Sequence, residues 1–236
     1  PTRDFNVGLN WYQIDWRDYV SAPSLQSLVD GDGIINGVRR GVVTRDPTNG
    51  VVVLVATNYY NTPRVLTSGL DFDAAYRFNT LYGKLGVRFG ATYLERYRVE
   101  DFESVTEYVG RNGFGSIPRL RGNLNLSWDQ GPWPAAATFN YVHSYYQDFL
   151  PGSYYAARDP RFQSGVYSEK IGSRTTVDLY GAYEFNNKLK ISGSVLNVAN
   201  KQPPYDPGAS STFLYDFTQY DVRGRAYRLN LTYKFK

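Results

Sequence analysis

The last segment of the chain alternates between two kinds of side chain. From residue 227 onward, an apolar or aromatic set is Tyr227, Leu229, Leu231, Tyr233 and Phe235, and the intervening set is Arg228, Asn230, Thr232 and Lys234. Successive side chains of a β-strand point to opposite faces of the sheet. The alternation therefore predicts a strand with one apolar face and one polar, charged face.

The same alternation returns along the chain in long segments that are rich in tyrosine. It occupies residues 70–78, 84–93, 120–129 and 177–185, and each polar set includes charged side chains. The core of a soluble β-sandwich accepts almost no unpaired charge, whereas water hydrates a charged face. The pattern therefore favours a wall with lipid on one side and water on the other, as in an antiparallel transmembrane β-barrel.

The composition is compatible with membrane strands, which do not produce long hydrophobic runs. The 236 residues include 22 Tyr and 13 Phe, yet the mean hydropathy is −0.46. The longest apolar run, Val51–Ala56, is far too short for a transmembrane helix, which needs about 20 residues. Insertion as a helix is therefore excluded, and averaging over two unlike faces explains the low hydropathy.

Several kinds of chemistry are excluded by residues that the sequence lacks. There is no Cys, and His143 is the single histidine, so thiol chemistry, a histidine metal cluster and a histidine-based triad are ruled out. The net charge of +4 is mild, and the 26 Lys and Arg residues are dispersed among 22 Asp and Glu. We predict no enzymatic activity, no catalytic or metal-binding residues, no cofactor and no nucleic-acid partner.

Alternation and turn residues predict about eight strands, joined by connections that are short and long in turn. Outer-membrane barrels have short periplasmic turns and long extracellular loops. The predicted strands are residues 5–18, 51–78 with an interruption at 61–63, 84–99, 119–129, 135–147, 175–185, 188–196 and 223–235. The short turns are 79–83, 130–134 and 186–187, and the long connections are 19–50, 100–118, 149–174 and 197–222.

Aromatic residues near the ends of the predicted strands would form girdles at the two membrane–water interfaces. Their indole and phenol groups combine an apolar ring with a polar atom, which suits this boundary. The candidates are Trp11, Tyr76, Phe78, Tyr93, Trp128, Tyr145, Phe185 and Tyr233.

Four segments together resemble the C-terminal third of TonB-dependent outer-membrane receptors. They are Asn58–Asp73 (NYYNTPRVLTSGLDFD), Thr175–Phe185 (TTVDLYGAYEF), Val195–Tyr205 (VLNVANKQPPY) and Gly224–Phe235 (GRAYRLNLTYKF). The likeness lies in their order and spacing over most of the chain, and the last two are specific in combination. The chain departs from the family pattern at its end, where Lys236 follows the usual terminal aromatic residue.

The resemblance implies a bacterial outer-membrane barrel of about 22 strands, with residues 1–236 as its C-terminal portion. A plug domain and a TonB-contacting segment are also implied, and both are expected before Pro1, because the chain lacks them and also lacks Met and a secretory signal. The implied activity is active uptake of a scarce solute: an iron-siderophore, a vitamin complex or an oligosaccharide. The implied partners are the solute, TonB, the remaining barrel and plug, outer-membrane lipid and lipopolysaccharide.

Two groups of residues are candidates for binding the solute. Aromatic and basic side chains of one long connection form the kind of surface that stacks on sugars or aromatic chelates, and the polar face adds three arginines. The first group is Tyr154, Tyr155, Arg158, Arg161, Phe162 and Tyr167, and the second is Arg77, Arg88 and Arg121. We expect the acids of the same face to balance these three arginines and Arg228 rather than to serve as paired catalytic acids. These acids are Asp71, Asp73, Asp178 and Glu184.

Two other functions stay open at this point. A barrel of about eight strands that closes on itself is geometrically allowed, but its interior only accommodates side chains, so its role would be structural or adhesive. An open sheet would leave two unpaired edges in hydrocarbon, so the chain must close on itself or belong to a larger wall. An outer-membrane hydrolase is the weaker possibility, because the sequence shows no arrangement of nucleophile and base.

Overall fold

The computed structural model describes residues 4–18, 20–61, 64–102, 104–112, 115–147, 170–186, 188–206 and 213–235. Within these ranges the chain forms one helix, α1 (Leu25–Asp30), and a series of strands. In the described part of the chain, helical structure nowhere reaches the length and apolar character that a membrane crossing requires. The strands are β1 (Phe5–Trp16), β2 (Val20–Ser21), β3 (Ile34–Ile35), β4 (Val38–Arg39), β5 (Gly41–Arg45), β6 (Val52–Thr57), β7 (Tyr60–Asn61), β8 (Arg64–Thr80), β9 (Gly83–Glu100), β10 (Val105–Glu107), β11 (Arg111–Asn112), β12 (Ser116–Ile117), β13 (Leu120–Gln130), β14 (Trp133–Val142), β15 (Tyr145–Gln147), β16 (Lys170–Ile171), β17 (Arg174–Glu184), β18 (Leu189–Leu196) and β19 (Ala226–Tyr233).

The long strands form one sheet in which each lies beside the next long strand of the sequence. The order is β1-β8-β9-β13-β14-β17-β18-β19, and the short strand β10 also pairs with β9. The pairings from β9 through β19 are antiparallel. The prediction of about eight strands in an antiparallel wall is therefore confirmed.

Short and long connections alternate between these strands, as predicted. The short ones are residues 81–82, 131–132 and 185–188, and the long ones are residues 17–63, 101–119, 143–173 and 197–225. We call the long ones the first, second, third and fourth connections, in chain order. In an antiparallel sheet of neighbouring strands, the strand ends that lead into the long connections lie opposite the ends that the short turns join.

The chain divides into two compact units. One comprises residues 1–11, 69–95 and 109–236, and the other comprises residues 12–68 and 96–108. The first unit contains most of the sheet and the described parts of the third and fourth connections. The second contains α1 and the small strands of the first connection.

The first connection has more regular structure than the sequence predicted. Ser24 caps α1 by accepting a hydrogen bond from the backbone N–H of Ser27 at 3.1 Å, and Leu28 of this helix is fully buried. The valine-rich residues 52–57, predicted as the start of a long strand, instead pair with β5 in a local hairpin. The prediction was wrong here because a β-branched run favours any strand and does not specify its partner. The long strand begins at Arg64.

The register of the sheet separates two faces, because directly opposed residues of an antiparallel pair share a face. Arg88 is opposite Asn125, and Arg121 is opposite Thr92, whereas Leu124 is opposite Phe89. The polar face carries Lys84, Arg88, Thr92, Arg121, Asn123, Asn125, Ser127, Asp129, Thr138, Asn140, Thr176, Asp178, Tyr180, Lys190, Ser192, Ser194, Arg228 and Asn230. The apolar face carries Leu85, Val87, Phe89, Leu124, Leu126, Trp128, Phe139, Val177, Leu179, Ile191, Val195, Tyr227, Leu229 and Leu231.

The apolar face lacks a protein layer over much of its described area. Leu229 is 80% exposed, and Leu126 in the middle of a central strand is 39% exposed. Water would make so much exposed apolar surface unfavourable, whereas lipid tails would cover it. The predicted separation of an apolar and a polar face is confirmed, and Arg88 and Arg121 lie on the polar face.

Candidate functional site: the polar face and the loop cluster

The polar face has a recess of about 400 Å³ near the start of β13. Thr92 donates its hydroxyl to Asp71 at 2.7 Å, and Arg121 lies directly opposite Thr92 on the next strand. The polar side chains that line this recess are Asp71, Asp73, Thr92, Arg121, Asn123 and Asn140. The recess therefore offers two carboxylates, a hydroxyl, a guanidinium and two amides to a polar solute.

A larger recess, of about 700 Å³, lies on the polar face near the short turns. Small residues make room for it: a Cβ at Gly86 would be 2.5 Å from Ser127 Oγ and 3.9 Å from Arg77 Cγ. Charged side chains of both signs surround the small ones, namely Asp4, Arg77, Lys84 and Asp129. With charges of both signs, this part of the polar face suits a neutral or zwitterionic partner better than an anionic one.

The three predicted arginines share the polar face but lie apart along it. Arg121 and Asn125 are separated by four positions of β13, a distance of about 13 Å, and Asn125 is the residue opposite Arg88. Arg77 lies beside Gly86, and Gly86 is the residue next to Arg88 on the same face of β9. The arginines therefore form a line across the face rather than a single site.

These arginines are not paired with the acids that we expected to balance them. Among the described residues, none of the ion pairs includes Arg77, Arg88 or Arg121. Asp178 accepts instead from Asn140 at 3.0 Å, and Glu184 pairs with Lys190 at 2.9 Å. The register places the neutral residues Asn125 and Thr92 opposite Arg88 and Arg121. Their charge is therefore available to a solute or to another protein surface.

A second site, which we call the loop cluster, is formed by the second, third and fourth connections within the first unit. Its frame is a small sheet in the order β12-β11-β15-β16, in which β11 and β15 run parallel. Tyr145, Ile171 and Tyr220 form its apolar core. Segments from separate parts of the chain are therefore packed into one body.

The buried carboxylate of Asp206 lies at the centre of the loop cluster. Its side chain accepts from the Tyr145 hydroxyl at 2.8 Å and from Asn112 Nδ2 at 3.0 Å, and Gln147 Nε2 donates to it as well. Asp206 and Tyr145 are both 0% exposed. Burial raises the pKa of Tyr145 above its ordinary value, so the phenol remains a hydrogen-bond donor.

The burial of Tyr145 overturns one prediction about the aromatic girdles. We assigned this residue to a membrane–water interface from its place near a predicted strand end. The strand actually ends at Val142, and Tyr145 belongs to β15 in the loop cluster. Residues 143 and 144 interrupt the ladder, and the side chain turns into a protein core instead of toward lipid.

The polar face and the loop cluster are joined through Gln219. Its side chain accepts a hydrogen bond from Arg121 and donates one to the backbone carbonyl of Ser116 at 3.0 Å. Arg174 also approaches the cluster, with its guanidinium 5.4 Å from the ring centre of Tyr220. Arg121 is thus the one of the three arginines that contacts both described sites.

The second unit has its own ionic and aromatic contacts. Arg64 binds Asp15 with two hydrogen bonds, of 2.7 and 3.0 Å, and lies 3.6 Å from Glu100. The guanidinium of Arg40 lies between two rings, 4.9 Å from the centre of Tyr60 and 5.3 Å from that of Phe102. The Arg64 contacts join β8 to β1 and β9, and the Arg40 contacts join the first connection to Phe102, shortly after the end of β9.

The single histidine of the chain takes part in a hydrogen bond between side chains. His143 is bonded through Nδ1 to the Tyr141 hydroxyl at 2.7 Å. In the described ranges, no group of three His, Cys, Asp or Glu residues lies close enough to hold a metal ion. The first predicted group of solute contacts, Tyr154, Tyr155, Arg158, Arg161, Phe162 and Tyr167, lies outside the described residues.

An antiparallel wall with a lipid-compatible face, an ionic face and long connections at one end defines an outer-membrane type of β-protein. Residues 1–198 match the family described as TonB-dependent receptor-like β-barrel. The chain belongs to this family, whose members are bacterial outer-membrane receptors for transport. The all-β barrel fold predicted from the sequence is confirmed.

Solved structures show the same fold at low sequence identity. The siderophore receptor PirA from Acinetobacter baumannii is 16% identical, with a TM-score of 0.59, over 100% of this chain and 30% of that chain. A variant of the ferric enterobactin receptor PfeA from Pseudomonas aeruginosa is 14% identical, with a TM-score of 0.63, over 100% and 29%. The FrpB iron transporter from Neisseria meningitidis is 15% identical, with a TM-score of 0.58, over 100% and 29%. Curated proteins gave no sequence match.

This chain therefore spans about a third of the length of the receptors that it resembles in structure. The end strands β1 and β19 each have one neighbour in the described sheet. The chain thus corresponds to part of a barrel wall.

Proposed function

We propose that residues 1–236 form the C-terminal part of the barrel of an outer-membrane receptor for active, TonB-dependent uptake of a scarce solute. The observation that carries the proposal is the register, which keeps the charged residues of successive strands on one face and the apolar residues on the other. The family supports a transport receptor rather than an enzyme. The rest of the barrel, a plug domain and the TonB-contacting segment belong to other parts of the receptor.

The solute that we favour is an anionic iron chelate of the siderophore type. The arginines of the polar face are free of ion pairs with described acids, and Arg121 stands where this face meets the loop cluster. Positive groups with hydrogen-bonding neighbours attract anionic ligands. The printed names of PirA, PfeA and FrpB associate those proteins with siderophores or iron. Vitamin complexes and oligosaccharides remain further candidates.

The aromatic and basic residues from Tyr154 to Tyr167 are proposed as additional solute contacts. Tyrosine and phenylalanine rings stack on flat or sugar-like ligands, and arginines attract their negative groups. Lipopolysaccharide is proposed as the surface partner of the receptor outside the cell, since its phosphates suit basic loops such as that of Arg39 and Arg40.

A self-closed small barrel is less well supported. Such a barrel needs pairing between the first and last strands, because an open edge in hydrocarbon leaves backbone groups unsatisfied. In the described sheet, β1 and β19 are at opposite ends of the strand order. A larger wall provides a neighbour for each of them without rearrangement.

Uptake by the full-length receptor tests the proposal. A strain that lacks the receptor should lose uptake of one ferric siderophore from a panel of labelled chelates, and disruption of TonB should remove the same uptake. Restoring the receptor with Arg121→Ala should weaken uptake, whereas Lys190→Ala, on the same face but paired with Glu184, should have little effect. Unchanged uptake of all chelates, vitamin complexes and oligosaccharides in the strain without the receptor would contradict the proposal.

A further inference from the structure

We propose that Asp206 is a latch that fastens the second, third and fourth connections into one preformed surface. The surface is the loop cluster, and its role in solute binding rests on the proposed function. The latch itself concerns only the chain and can be tested without a solute.

The donors to Asp206 come from connections that are distant in sequence. Asn112 lies in the second connection, Tyr145 and Gln147 lie in the third, and Asp206 itself lies in the fourth. Residues 112 and 206 are 94 positions apart, and residues 145 and 206 are 61 positions apart. One carboxylate therefore holds three separate segments through both of its oxygens.

The backbone contacts between these connections are too few to hold them alone. The parallel pairing of β11 with β15 covers only residues 111–112 and 146–147. The amide of Tyr146 also donates to the carbonyl of Gly110 at 2.7 Å. So short a pair of strands is only marginally stable without further packing or side-chain bonds. The carboxylate supplies such bonds at the place where the segments meet.

Burial makes the loss of the carboxylate costly. Asp206 and Tyr145 are fully buried, and Gln147 is 4% exposed. Without the acceptor, the Tyr145 phenol and the Gln147 amide would each lose a hydrogen bond in a place that bulk water does not reach. A buried donor without a partner is more unfavourable than the same bond is favourable. The segments are therefore expected to separate when the latch is removed.

A surface that is assembled before binding lowers the entropic cost of ordering the loops when a solute binds. Asp206 cannot touch the solute while it is fully buried, so its effect on binding would be exerted through the positions of the connections. The latch gives a function to Asp206, which is not on the polar face and was not among the predicted solute contacts.

Hydrogen exchange in the full-length receptor tests the latch. In Asp206→Ala, the amide of Tyr146, which donates to the Gly110 carbonyl of the neighbouring connection, should exchange at least about tenfold faster, because its protection depends on the joined connections. Amides in the middle of β13 should be unchanged. The matched control is Asp221→Ala, which removes a carboxylate from the same connection. The Asp221 side chain is 55% exposed, and its partner is the nearby Arg223.

Two results would overturn the latch. One is unchanged exchange at Tyr146 in Asp206→Ala, and the other is an equal acceleration in β13, which would indicate a general loss of stability. If Asp206→Ala does not assemble, Asn112→Ala removes one donor and should accelerate Tyr146 by a smaller factor, and no acceleration there would also contradict the proposal. Because no solute is added, failure of the latch and failure of the transport proposal are separate outcomes.

Discussion

The indole Nε1–H of Trp128 donates a hydrogen bond of 2.6 Å to the backbone carbonyl of Tyr82. Tyr82 lies in the short turn between β8 and β9, and Trp128 lies on the apolar face opposite Leu85. The ring thus covers apolar surface while its polar atom satisfies a turn carbonyl. This arrangement suits the boundary between lipid and water, where we predicted Trp128 to lie.

Replacing this indole by a ring without a donor should weaken the barrel. Trp128→Phe is expected to lower the free energy of unfolding by about 1 kcal/mol, the usual net contribution of one hydrogen bond. Trp133→Phe is the control, because Trp133 is 55% exposed and its indole makes no hydrogen bond among the described residues. Thermal unfolding of the full-length receptor in detergent should show a lower midpoint only for Trp128→Phe. Equal shifts would contradict the assignment.

The short turn after β8 requires a glycine. Gly83 has a φ of +112°, and a Cβ at this position would be 2.5 Å from the carbonyl oxygen of Asp129. Gly83→Ala should therefore cost about 1–3 kcal/mol. Gly131, in the next short turn, has a φ of +57°, and a Cβ added there would meet no atom within 4 Å. Gly131→Ala should cost only about 1 kcal/mol. The unfolding midpoints should fall in that order, and the reverse order would count against the turn geometry.

Removal of two different acids of the polar face should change the stability of the receptor by different amounts. Asp178 accepts from the backbone N–H of Asn197 at 2.7 Å, and Asn197 is 6% exposed. Asp178→Ala should thus cost about 1–3 kcal/mol, because a buried donor loses its partner. Asp129 is exposed at the charged recess, and Asp129→Ala should change stability by less than about 0.5 kcal/mol. Thermal unfolding midpoints of the two variants check this prediction. A larger fall in midpoint for Asp129→Ala than for Asp178→Ala would contradict it.

The sheet could be predicted from the sequence because its signal is local. Strand β13 was expected at residues 119–129 and is found at 120–130. Polar and apolar residues alternate throughout this segment, and turn residues follow it. Any strand between lipid and water needs this alternation, so its faces can be read without knowledge of its neighbours.

The loop cluster could not be predicted in the same way. Asp206 precedes Pro207 and Gly208 in the sequence, which is a common turn composition and indicates nothing about burial. Its partners Asn112 and Tyr145 are 94 and 61 positions away. Contacts of this kind depend on how the long connections pack, and no periodic pattern encodes them. For the same reason, the pairing of β5 with β6 was missed in the first connection.

The central claim is that the apolar face of the sheet contacts lipid and the polar face does not. It is tested by placing one arginine on each face of the same strand. Leu126 is in the middle of β13 on the apolar face, and Asn123 is on the polar face opposite Gly90 and Asn140. An arginine on the lipid face near the membrane centre costs about 2–4 kcal/mol, whereas a watery face hydrates it.

The measurement is the amount of folded full-length receptor in the outer membrane, together with its thermal unfolding midpoint. Leu126→Arg should reduce both, and Asn123→Arg should leave both close to the unaltered receptor. Equal tolerance of the two arginines, or a greater loss for Asn123→Arg, would contradict the assignment of the faces and with it the membrane account of this chain.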